Sequence, residues 1–167
     1  MAEWSEIAKL LDSCYSLFLH EMGEPREGVL RLLLLEAKRS DEEISMQVGG
    51  AIIEGLYRVQ AVNDSRAFEL IWNQYIAYSV TSESFASANG DETDDSGRLL
   101  RCYSQSPFLD YVARTTIARK EYPGSYTHLR VLSENHIVDV VSTVSWRNIP
   151  ILLIDNGQNL LTPDSVT

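Results

Sequence analysis

Apolar positions along the chain recur with two different periods, and the change of period marks out the elements. Trp4, Ile7, Leu10, Leu11, Cys14, Leu17 and Phe18 repeat at steps of three and four, which predicts one amphipathic helix with Glu3, Glu6, Lys9, Asp12 and Ser13 on the opposite side. Gly23 and Pro25 read as its stop signals. Val29 to Ala37 is nearly continuous leucine between Gly28 and the polar Lys38-Arg39-Ser40-Asp41, the pattern of a buried central strand. Asp41-Glu42-Glu43 then reads as a solvated loop or the start of a helix.

Alternation follows. Ala51, Ile53, Gly55, Tyr57, Val59 and Ala61 share one parity. Phe68, Leu70, Trp72, Ile76, Tyr78 and Val80 share another, broken at Gln74, where a bulge would fit. With Asn63-Asp64-Ser65 between them, these two stretches predict an antiparallel pair. Residues 82–97 are small, acidic and turn-forming, hence an exposed loop. Arg98 to Tyr103 resumes as a short strand. Ser106-Pro107 opens a second helix, with a hydroxyl to cap it and proline at its first position. Tyr122-Pro123-Gly124-Ser125 turns the chain. Tyr126–Leu132 and Ile137–Thr143 read as strands, and Asp155-Asn156-Gly157 as a hairpin turn within 151–161. The sum is a single α+β domain over residues 1–161 with a frayed tail at 162–167. Its expected architecture is an antiparallel or mixed sheet of about six strands with two main helices packed on one face.

Composition is that of a folded domain, 44% hydrophobic and 23% charged. Charge narrows the partners. Against 14 Lys+Arg stand 24 Asp+Glu, a net charge of -10, and the basic residues form no run. Such a field repels nucleic-acid phosphates and anionic lipid heads and favours a basic protein partner. The acidic start Met1-Ala2-Glu3-Trp4-Ser5-Glu6 is no export signal, and the aliphatic run Leu32–Leu35 is too short to span a bilayer. With the unpaired Cys14 and Cys102, these features point to the cytoplasm.

No chemical signature is complete. An EF-hand frame begun at Asp91 puts Ser96 where glycine is needed and Cys102 where the closing glutamate belongs. Cys14, Cys102, His20, His128 and His136 have no metal-ligand spacing, so no metal or other cofactor is expected. Gly49-Gly50 belongs to no phosphate-binding motif. The sharpest enzyme alternative is a thiol nucleophile, Cys102, with His136 and Asp139 as partners in a hydrolase or transferase. Cys102 shares parity with Leu100, which suits a core-facing side chain instead. What remains is a surface: Asp91, Glu92, Asp94, Asp95 and Glu83 with Tyr122 make an acidic-aromatic docking face.

The stretches Arg66–Trp72, Tyr75–Val80, Glu83-Ser84-Phe85, Gly97–Arg101, Ser106–Val112 and Asn135–Ser142 together resemble small uncharacterised bacterial proteins of the toxin-immunity type, over roughly residues 55–142. That resemblance implies a stand-alone bacterial protein that blocks a partner, and it supplies no functional residue. The preferred reading is therefore a non-enzymatic acidic protein that binds and blocks a toxin domain. A homodimeric scaffold is a third option.

Overall fold

The computed structural model describes residues 6–87, 93–94, 97–145 and 148–154. The chain is α+β, with strands paired antiparallel in two sheets rather than one. In the first sheet β1 (Ser16–Arg26), β2 (Val29–Val48), β4 (Ala67–Trp72) and β10 (Ile151–Ile154) lie in that order, and β3 (Ala51–Gln60) joins β2. In the second the order is β5 (Ala77–Ser82), β9 (His136–Ser142), β8 (Thr127–Leu132), β7 (Leu100–Gln105) and β6 (Thr93–Asp94). The helices are α1 (Glu6–Asp12) and α2 (Pro107–Thr115), and a single 3-10 turn spans Glu83–Phe85.

One apolar cluster joins the sheets. Leu30, Leu32, Leu34, Phe68, Leu70 and Trp72 enter it from the first sheet, and Leu100, Cys102, Leu129, Val131, Val138 and Val140 from the second. The buried strand expected at Val29–Ala37 is the proximal part of β2. Its opposite face is buried too, with Leu33 and Leu35 meeting Ala67, Ala61 and Ile154. A strand covered on both sides has no polar face, which is why the leucine run shows no alternation.

Several expectations need correction. The helix expected from Trp4 to Phe18 stops at Asp12, and Ser16 already pairs with Ala37 in β1. Capture of its end by a segment far along the same chain is the physical reason. The Asp12 carboxylate accepts from the backbone N–H groups of Arg98, Leu99 and Leu100, at 2.6–3.1 Å. In return the Arg98 guanidinium donates to the carbonyls of Asp12, Cys14 and Tyr15. Gly97, at φ +32°, brings the chain beneath Asp12; a Cβ there would collide with the Leu100 carbonyl. Gly23 and Pro25 lie inside β1, an edge strand, where a missing N–H costs little.

Asp41-Glu42-Glu43 is neither loop nor helix but the continuation of β2. The two alternating stretches at 51–61 and 68–80 are strands, yet they do not pair with each other. β3 folds back on β2 through Gly49-Gly50, both at positive φ (+56° and +89°), while β4 pairs with Leu30–Leu35 of β2. The parity break at Gln74 is no bulge: the chain there leaves the first sheet and enters the second. Ser142 Oγ donates to the Gln74 carbonyl at this crossing, and the Ile76 N–H donates to the Val141 carbonyl.

The two helices do not share a face. Ala8 and Leu11 of α1 belong to the common core. α2 packs on the far side of the second sheet, over His128. The end of the expected hairpin at 155–161, the tail at 162–167 and Trp4 lie outside the described residues. Among the described residues no helix is long and apolar enough to cross a membrane.

Candidate functional site

Alternation in the second sheet decides which side chains can meet. Register places Cys102, Leu129 and Val140 in one row across β7, β8 and β9, and these point into the shared core. Arg101, Arg130, Asp139 and Ser79 form the next row, on the opposite face. Cys102 and Asp139 are thus separated by the sheet itself. His136 shares the core-side parity of Val140 but lies four residues along β9, about 13 Å at strand rise. Cys102, His136 and Asp139 are not brought together.

Neither thiol is poised to react. Cys14 and Cys102 are both buried and stand outside any disulfide. Burial pushes the Cys14 thiol up to about 11, although the nearby Arg66 guanidinium acts to lower it. We expect a thiol-specific reagent at neutral pH to leave both cysteines of the native protein unlabelled over minutes, and to label both in denaturant. Fast labelling of native Cys102 would restore the thiol-enzyme alternative.

Asp139 has a different role from the one its sequence position suggested. Its Oδ1 accepts from Arg130 Nε at 2.7 Å and bonds His128 Nε2 at 2.7 Å. An ionised carboxylate can only accept, so Nε2 carries the hydrogen. On the other side of the ring, His128 Nδ1 lies 2.8 Å from Ser106 Oγ, and Ser106 Oγ accepts from the Leu109 N–H as the cap of α2. Burial pushes the Asp139 carboxyl up, but the hydrogen bonds from His128 and Arg130, with the charge of Arg130, outweigh it and hold the group below its ordinary range.

Ser106, His128 and Asp139 are the residue types of a hydrolytic triad, and the sequence reading missed this row. Its geometry serves another end. His128 is fully buried, the serine hydroxyl is buried and engaged as a helix cap, and the open groove above reaches Asp139 and Arg130 rather than the serine. The row ties the start of α2 to the sheet. Tyr103 and Phe108 close around the imidazole, with centroids at 4.9 and 5.4 Å. No periodicity signals such a network, because its members fall on two strands and one loop.

The open feature of this face is a groove between α2 and the edge strand β5. Two cavities of about 360 and 660 Å³ share Phe108 and Tyr111 as a common wall. The first is lined by Thr81, Phe85, Ile137, Arg130 and Asp139, the second by Tyr75, Ala77, Tyr78 and Ser79. Phe108 and Tyr111 stack nearly parallel, 8° between planes, and Tyr111 is 55% exposed. Glu24 of β1 accepts from the hydroxyls of Tyr75 and Tyr78 at 2.7 and 3.0 Å. That bond is the main reason the Tyr75 hydroxyl is pushed up to about 12, so both phenols stay neutral donors beside a carboxylate.

No family model, curated protein or solved structure matches this chain.

The docking residues expected from sequence fall in three places. Asp91, Glu92 and Asp95 lie outside the described residues, and Asp94 is described only as backbone in β6, at the opposite edge of the second sheet from β5. Glu83 is exposed in the 3-10 turn that leads into the groove at Phe85. Tyr122 is exposed in the turn that follows α2, where its carbonyl accepts from the Arg119 N–H. The groove residues Phe85, Phe108, Tyr111, Tyr75 and Tyr78 were visible as aromatics, but nothing local in the sequence gathers them.

Proposed function

We propose that this chain is a non-enzymatic protein-binding domain of the immunity type, which seats a basic segment of a toxin domain in the groove between α2 and β5. The observation that carries this reading is the groove's aromatic lining: the stacked Phe108 and Tyr111 form its common wall, with Phe85 at one end and Tyr75 and Tyr78 at the β5 edge. An arginine or lysine side chain finds a preferred partner there in an aromatic ring face. The net charge of -10 adds long-range attraction, which raises the rate of encounter with a cationic partner and weakens with salt. Exposed Phe85 and Tyr111 supply apolar anchors of the kind that dominate binding energy. Blocking follows from occupancy: a toxin whose basic active-site surface lies on this groove cannot receive its substrate.

The test is a calorimetric titration of the purified chain with the protein encoded by the reading frame next to its own, in wild type and in Tyr111→Ala. Tyr111 is half-exposed, so its truncation leaves the fold intact. We expect affinity to fall about thirtyfold, the size of an interface anchor, and to fall again as salt is raised. An affinity indifferent to both changes, or no binding at all, refutes the reading.

A further inference from the structure

β2 and β3 leave the body of the protein together. β1 pairs with β2 only as far as Ala37 and β4 only as far as Leu35, whereas β3 pairs with β2 from Lys38 to Val48. The distal part is a two-stranded ribbon closed by Gly49-Gly50. Residues opposite one another share a face, and the extra residue of β3 at Glu54-Gly55 resets its alternation. As a result Ile44 with Leu56, Met46 with Ile53 and Val48 with Ala51 all fall on one side. That side is wholly apolar, and Met46, Val48 and Ile53 are 51%, 52% and 45% exposed.

The flanks are acidic. From Asp41 to Leu56 the ribbon carries Asp41, Glu42, Glu43 and Glu54 and no lysine or arginine. The cations lie at its foot: Lys38 meets the Asp64 carboxylate at 3.0 Å, Arg39 lies over the Tyr57 ring at 3.7 Å, and Arg58 stands two residues beyond Leu56 in β3. Among the described residues no salt bridge reaches the four carboxylates.

These features choose among occupants. A second copy is disfavoured, because pairing would set two groups of carboxylates side by side. Anionic lipid is repelled by the same charges. We infer that the ribbon is a docking arm that lays Ile44, Met46, Val48 and Ile53 along the apolar stripe of a partner protein's helix, one flanked by lysine or arginine. The arm is formed by different elements from the α2–β5 groove, and its role stands whether or not that groove binds a toxin.

The experiment uses the full chain, labelled for amide NMR, and a synthetic Leu/Lys amphipathic helix of about 18 residues, five turns. A Leu/Glu helix of the same pattern is the control. Expected are shifts concentrated in residues 43–57, binding about tenfold tighter for the Leu/Lys helix, and about fivefold loss in a Met46→Ser/Ile53→Ser variant. Tyr111→Ala should leave this binding unchanged. Equal binding of both peptides, or indifference to the double substitution, overturns the inference. Loss with Tyr111→Ala alone also overturns it, and assigns the peptide to the groove. A concentration-dependent dimer abolished by Met46→Ser/Ile53→Ser would overturn it in favour of a second copy.

Discussion

Asp139→Ala lowers the stability of the fold by about 3–5 kcal/mol, the cost of removing one partner from a buried ion pair. Thermal unfolding should move down by about 10 °C or more. The substitution strips both Arg130 and the fully buried His128 of the carboxylate they share. It also loosens Ser106, and with it the start of α2. Asp139→Asn keeps an acceptor of similar shape without the charge and loses less. The same residue sets an acid limb. Its folded carboxyl titrates below the ordinary value of 3.8, so its contribution is complete above that value and is lost as pH falls through the lower folded one. Glu36 acts in the same direction: Arg66 hydrogen bonds hold its carboxyl below 4.5. Urea melts at a series of pH values, in wild type and Asp139→Asn, check both points. An acid limb of unchanged steepness in the variant would remove Asp139 from the account.

Asp12→Ala costs about 3 kcal/mol, since one carboxylate serves three backbone N–H groups and hydrogen bonds to charged groups are worth about 1.5–3 kcal/mol. Leu99 and Leu100 are buried, so alanine leaves their amides without water to replace it. Asp12→Asn recovers part of the loss through its amide oxygen. The midpoint in urea falls while the slope stays constant, because the surface exposed on unfolding is unchanged. A change in slope would instead mean that α1 detaches as a separate unit.

Local pattern was a good guide where one strand answers to one sheet. Val29–Ala37, the capped helix at Ser106-Pro107 and the strands at 127–132 and 136–142 were all legible, because burial there follows parity or a cap. It misled where distant residues decide. The helical stripe through Cys14, Leu17 and Phe18 is real, but Arg98, more than 80 positions away, captures the carbonyls that would have continued the helix. Phe68–Val80 looks like one strand because both sheets draw on the same alternation, and only the crossing at Asn73–Ile76 separates them. Gly49-Gly50 matches no phosphate motif, and its role as the turn between β2 and β3 shows only in the alternation of its flanks. The groove was illegible for a plainer reason: its walls come from β5, β9 and α2, which no window of sequence contains together.

The length of β2 has an evolutionary consequence. Its buried half and its projecting half are one continuous strand, so changes near Gly49-Gly50 need not disturb the leucines at the other end. Insertions or deletions made symmetrically and in pairs would alter the reach while keeping the same side chains turned outward; a single added residue would rotate every later one to the reverse. Descendants that switch targets should therefore differ there by even steps.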